Sequence, residues 1–289
     1  MSKRLLIVAD DFGYGCQRNN GILQCFKSKA ISGVSLLANC KHSNAAVQLA
    51  KLYNVPVGLH FNITEGLPLS DPRTVASLLG PDGKFIQKHK FWHDADILPK
   101  HVATELEAQI SWFYSHFGQV PHRIDGHQHV HVHPNVAHVF ASLLKLHKVQ
   151  STRVPIEYHC SEHNTDLPIH RKAFHMMVED ASRNAEHLFR KFNINFPEAF
   201  VGLNFVGSSI KVELLKKMLK SVFDSGVEQC ELMVHPGYRC NIESDGFLGD
   251  QTADTFSCSV ERENELAVLT SDEMKQFYDE ETIVIDAVF

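Results

Sequence analysis

The sequence predicts an α/β fold, a (β/α) TIM-barrel-like single domain over residues 1–289, open to distortion and carrying inserted rim loops. Three observations predict it. Short runs rich in β-branched residues alternate with amphipathic stretches along most of the chain, the order that parallel βαβ units require. Eight such runs occur, and eight strands close a barrel of roughly 250 residues. Polar side chains gather just after several of the runs, at the sheet edge where functional loops collect in this architecture.

The elements follow in order. Residues 5–9 (LLIVA) read as a strand, too short for a buried helix. Residues 20–29 place Ile22, Leu23 and Phe26 on one helical face. The run 34–38 (VSLLA) is a strand, and 43–53 a helix opened by a cap-like serine. Residues 55–59 (VPVGL) form the third strand. The stretch 70–98, with its Pro, Gly and aromatics, reads as an inserted loop beside the barrel mouth. A helix over 103–117 precedes a strand at 123–126, and Pro134 suits the first turn of a helix over 135–147. Strands are expected at 151–155 (STRVP), 199–204, 228–234 and 282–288, with helices over 209–223 and 271–278. Residues 240–261 are Gly-, Asp- and Ser-rich and read as a second loop.

Composition narrows the class. Hydrophobic residues make up 44% and charged residues 21%, against a disordered chain. The net charge of −6, from 28 basic and 34 acidic residues, argues against a nucleic-acid footprint or a polybasic membrane patch. Seven scattered cysteines (Cys16, Cys25, Cys40, Cys160, Cys230, Cys240, Cys258) contain no C-x-x-C pair, which disfavours a disulfide framework or a zinc knuckle. The first apolar run stops at carboxylates after five residues, too soon for a signal peptide or a membrane span. The expected location is cytoplasmic. Phosphate-loop, dinucleotide, serine-nucleophile and H-E-x-x-H motifs are absent. Histidine, at 19 copies, is the anomaly.

Four clusters could do chemistry. Asp10 and Asp11 end the first strand and precede Phe12-Gly13. Adjacent carboxylates resist joint ionisation unless a cation lies beside them, and a turn at the glycines would aim both into one mouth. His60 ends the third strand in GLHFNITEG, where Glu65 reads by default as a surface carboxylate. The strongest cluster is Asp125-Gly-His127-Gln-His129-Val-His131-Val-His133. In an extended chain its odd-numbered side chains would line one face, and a metal would offset the cost of burying them. His131 and His133, approaching Pro134, read as structural. The last cluster is Met233-Val-His235-Pro-Gly237, and Arg153 is a further rim residue able to orient a carboxylate or touch substrate.

Together VADDFGYG, GLHFNITEG, IDGHQHVHVHP and ELMVHPGY closely resemble the YdjC-like carbohydrate deacetylases, the chitooligosaccharide deacetylase family, from about residue 4 to 288. GVSLLAN at 33–39 and FSCSVER at 256–262 resemble its animal branch. The resemblance implies a barrel-like fold and metal-dependent removal of acetyl groups from N-acetylated sugars. It makes Asp11, His60 and His127 the metal ligands and Asp10 the proton acceptor, as in the Asp-Asp pair of NodB-type deacetylases. It makes His235 the general acid. It implies magnesium, although two imidazoles and a carboxylate suit zinc at least as well. A homodimer is compatible with it. Arg153, His129 and Trp92 are the expected substrate contacts, and Phe91 and Trp92 form either a sugar-stacking wall or plain loop packing. The competing readings are another metal-dependent hydrolase on the same barrel, a phosphoesterase or glycosidase, and a non-catalytic partner-binding barrel.

Overall fold

The computed structural model describes residues 2–93, 96–158, 169–204, 207 and 210–286. The expected strand end at 287–288, the helix start at 209 and Cys160 lie outside them.

The chain begins with β1 (Lys3–Phe12), whose last eight residues are buried, because it lies at the centre of the sheet. There follow α1 (Cys16–Lys27), β2 (Gly33–Leu36), α2 (Ser43–Tyr53) and β3 (Val57–Phe61). The stretch expected as one loop carries two 3-10 turns and a short helix, α3 (Lys88–His93). Next, α4 (Pro99–Phe117) opens on a proline and ends at left-handed Gly118, the asymmetry that suits both residues. A three-residue β4 (Ile124–Gly126) leads to α5 (Pro134–Leu146), whose first turn His133 caps by accepting from the Asn135 amide. The chain continues through α6 (Ile169–Lys191), β5 (Ala199–Val201), α7 (Val212–Asp224), β6 (Gln229–Val234), α8 (Glu261–Thr270), α9 (Asp272–Glu280) and β7 (Ile283–Ile285).

The strands are parallel, in the order β4-β3-β2-β1-β6-β5. The last strand does not enter this path. Instead β7 pairs with residues Lys3–Leu5 of β1, and β2 takes the same strand further on, from Val8 to Phe12. Eightfold closure therefore fails. The expected strand at 151–155 makes only single bridges, Arg123 to Ser151 and Ser151 to Asn195, and Glu157 bridges Phe200. Pro155 supplies no amide, and the Ile156 amide turns back onto the Val154 carbonyl, kinking the segment out of any ladder. The result is a distorted parallel barrel whose β4–β5 seam is stitched rather than laddered.

Two apolar cores flank the sheet. One joins β3 and β4 to α4, α5 and α6; the other joins β1, β2 and β6 to α1, α2, α7, α8 and α9. The sequence reading missed α6 and α8. α6 buries Val178, Ala181, Ala185 and Phe189 along one stripe, but its remaining face is so rich in His, Arg and Glu that the periodicity is hard to see. The described cysteines are free thiols. No helix among the described residues is long and apolar enough to cross a membrane.

Candidate metal centre

Neighbouring residues of a regular strand point to opposite faces, yet Asp10 and Asp11 both reach the rim. The cause is a bulge. Between Ala9 and Phe12 of β1, three residue steps oppose two on β2, and Asp11 adopts a left-handed φ of 63°. The extra residue re-aims a side chain, as bulges beside active sites do. The expected turn at the glycines is not what brings the carboxylates together.

β3 delivers His60 in register with Asp125 of β4. His60 Nδ1 lies 2.7 Å from Asp125 Oδ1, so its Nε2 faces the rim, 3.6 Å from Asp11 Oδ1 and 3.7 Å from Asp10 Oδ2. After β4 the chain does not stay extended. Gln128 and His129 take left-handed φ values of 49° and 61° inside a 3-10 segment, so the odd-numbered histidines fan apart. His127 turns Nδ1 to within 3.1 Å of Asp11 Oδ1. His129 reaches the cavity wall, His131 bonds the Arg153 carbonyl, and His133 caps α5. The expectation of a single imidazole face is corrected by those two backbone angles.

Asp11, His60 and His127 offer ligand atoms that all lie within 4.8 Å of one another and are buried. Asp11 Oδ1 makes no hydrogen bond despite its burial, a costly state unless something else satisfies it. Each imidazole has its far nitrogen on a carboxylate, His60 on Asp125 and His127 on Glu65 Oε2 at 2.6 Å, the arrangement that orients histidine ligands around a metal. Five carboxylates (Asp10, Asp11, Glu65, Asp125, Glu231) face three guanidiniums (Arg18, Arg123, Arg153) here, leaving two negative charges with neutral imidazoles. These residues fit a divalent cation. Burial lowers the basicity of His127, but the adjacent Asp11 carboxylate and the bond to Glu65 outweigh that and push it up to about 10. Burial likewise raises the Asp11 carboxyl, and His127, His235 and His60 override it to hold Asp11 well below the carboxylate range.

Asp10 stands beside this group. Arg153 grips it with Nη1 on Oδ2 at 2.6 Å and Nη2 on Oδ1 at 2.8 Å, while its Nε bonds Glu231 at 2.7 Å. Arg153 is fully buried and does not line the cavity. Its expected role as a substrate contact is corrected: every nitrogen of its fork is committed to carboxylates. Burial raises the Asp10 carboxyl against the pull of Arg153 and His60. His235 Nε2 lies 4.0 Å from Asp10 Oδ2, and its backbone amide is fixed by Glu265. Burial holds the His235 ring well below the usual histidine range, with Arg262, Arg18 and Arg153 opposing the pull of Asp11.

The rim opens into a cavity of about 930 Å³ lined by Asp10, Asp11, His60, His127, His129 and His235. Its outer wall includes Lys88, Trp92, Phe174 and Phe256. Trp92 is wedged between His133 and Phe174 and donates to the Gln128 carbonyl. Phe91 is wholly buried in the core, which removes it from the expected sugar wall. Glu65, read as a surface carboxylate, and the Arg123–Glu231 pair were missed. Glu231 interrupts the apolar run QCELMV, and Arg123 shares a face with Asp125; those were the only signals.

Fold and site together define a class: an α/β barrel with a buried group of two histidines and one aspartate able to hold a divalent cation at the carboxyl ends of its strands. Within that class, the family model described as YdjC-like protein matches residues 4–280. The chain is 36% identical over 302 residues to the carbohydrate deacetylase of Danio rerio, covering 97% of this chain and 96% of that protein. It is 39% identical over 276 residues to the carbohydrate deacetylase of Homo sapiens, covering 93% and 84%. The chitooligosaccharide deacetylase of Yersinia pestis is 27% identical over 276 residues, covering 95% and 94%. Among solved structures, a candidate cellobiose-phosphate cleavage protein from Enterococcus faecalis superimposes with a TM-score of 0.77 at 22% identity, covering 99% of this chain and 97% of that one, a likeness of fold. The chain belongs to the YdjC-like family.

Proposed function

We propose that this protein is a metal-dependent hydrolase that removes the acetyl group from an N-acetylated carbohydrate, and that residues 1–289 act as one catalytic domain. One observation carries the reading: the buried Asp11–His60–His127 group has both imidazoles backed by carboxylates and a further carboxylate, Asp10, beside it at the cavity rim. The names of the animal and bacterial relatives support the substrate class.

Asp11, His60 and His127 would hold the ion. When bound, it supplies Lewis acidity and lowers the pKa of a water molecule. Two nitrogen donors and one oxygen donor match zinc better than magnesium. Asp10 accepts the proton of the attacking water. Arg153 keeps its carboxylate oriented, since both oxygens are engaged by one planar fork. His235 is the acid for the departing amine. Its Nε2 lies 4.0 Å from Asp10 Oδ2, so the proton taken by Asp10 is relayed through one water molecule to Nε2 and passes to the sugar nitrogen as the C–N bond breaks. Trp92, His129 and Phe174 contact the sugar at the cavity wall.

The test is acetate release from N-acetylglucosamine oligomers by protein of known metal content. Release of phosphate from sugar phosphates, or of new reducing ends, with no acetate would reject the reading in favour of another hydrolase. Inert protein that takes up no zinc or magnesium would identify a vestigial site.

A further inference from the structure

We infer that Glu65 is a positioning residue for the cation site: it dictates which nitrogen of His127 faces Asp11 and His60. The inference rests on the metal reading above and goes beyond it in assigning a role to a residue outside the ligand group.

His127 hangs from a segment with no regular ladder to hold it, followed by two residues in left-handed backbone. Its ring is steered instead by Glu65. Glu65 Oε2 accepts from His127 Nε2 at 2.6 Å and from Gln128 Nε2 at 2.8 Å, so one oxygen ties two consecutive side chains. A proton on Nε2 leaves the lone pair on Nδ1, the atom 3.1 Å from Asp11 Oδ1. Glu65 therefore selects a ligating tautomer for His127, as Asp125 selects one for His60.

The loop that carries Glu65 is built to hold it. Asn62 Oδ1 accepts from the Thr64 and Glu65 amides at 2.9 and 3.2 Å, and Asn62 Nδ2 donates to the Glu65 carbonyl at 2.8 Å. Asn39 Nδ2 donates to the same carbonyl at 3.0 Å. Gly66 follows at φ +73°, where an added Cβ would lie 2.5 Å from Phe247 Cβ. The backbone is thus pinned on both sides of a side chain that faces the cavity and remains 24% exposed. Replacing that side chain empties no core.

The experiment titrates metal-free full-length protein with Co²⁺, following the visible absorption of the loaded site, for the wild type, Glu65→Gln and Glu65→Asp. Glu65→Gln keeps the shape and loses the charge. Its Kd for Co²⁺ should rise about 10–100-fold, with an altered cobalt spectrum and an unchanged melting temperature of the metal-free protein. Glu65→Asp, which keeps the charge on a shorter arm, should recover part of the affinity. A Glu65→Gln affinity within about twofold of wild type overturns the role of Glu65 and leaves the metal reading standing. A wild type that takes up no Co²⁺ overturns both.

Discussion

The two sides of the cavity are built on opposite terms. On the ligand side, Asp10, Asp11, His60 and Asp125 are each at most 3% exposed and sit on or beside paired strands. Each is contacted by at least one charged or titratable partner within 3.7 Å. On the outer wall, His89 and His93 are exposed on a six-residue helix, and Lys88 of the same helix reaches over the ring of Phe174, which comes from α6. The difference separates two jobs. Chemistry needs donors held to a fraction of an ångström, which a sheet and a charge network provide, whereas recognition tolerates adjustable side chains.

That contrast can be broken experimentally. The largest effect belongs to the ligands. Asp11→Ala, His60→Ala or His127→Ala should abolish metal loading in elemental analysis, and unaltered stoichiometry in all three would move the site elsewhere. Asp10→Asn should keep the metal and lose about 10²–10⁴-fold in turnover, the usual weight of a general base; normal turnover would require another base. Arg153→Met leaves Asp10 buried without its guanidinium and Glu231 with Arg123 alone. It should cost about 3–5 kcal/mol in urea unfolding, and a smaller loss would show that Arg123 takes over.

The pH arm sharpens the comparison at the stitched seam. Burial pushes the Glu157 carboxyl up to about 8, against backbone bonds from Leu203 and Gly202, while an ordinary glutamate titrates at 4.5. The folded protein then keeps a proton that the unfolded chain has released. Stability from this group is complete below about pH 4.5 and is lost as pH rises toward 8, by up to about 1.4 kcal/mol per pH unit. Glu157→Gln should flatten that slope in melting curves; an unaltered slope would place the proton elsewhere. The smallest effect falls on the wall. Trp92→Ala should raise KM severalfold with kcat nearly constant, the signature of uniform binding, and a fall in kcat alone would make Trp92 part of the chemical machinery.

Legibility in the sequence followed the same division. β1, β3 and β4 were readable because apolar runs end in Asp10-Asp11, His60 and Asp125-Gly-His127. His131 and His133 read as structural and serve as a carbonyl partner and a helix cap. Arg153 was placed at the rim, but its choice between carboxylate and substrate was not readable. Its partners Asp10 and Glu231 lie 143 and 78 residues away. Glu65 was misread for a similar reason, since it meets His127 across 62 residues. The kink over Pro155 hid in a run with the composition of a strand.

The sequence by itself determined the α/β alternation and the residue types at the strand ends, because periodicity and side-chain chemistry are local properties. Only the tertiary structure decided how Asp10 and Asp11 share one mouth, which nitrogen each histidine presents, and that β7 leaves the barrel path. Those outcomes depend on a bulge, on carboxylates brought in from distant segments, and on competition between two strands for one edge of β1. Long-range pairings of this kind leave no periodic trace in a single chain.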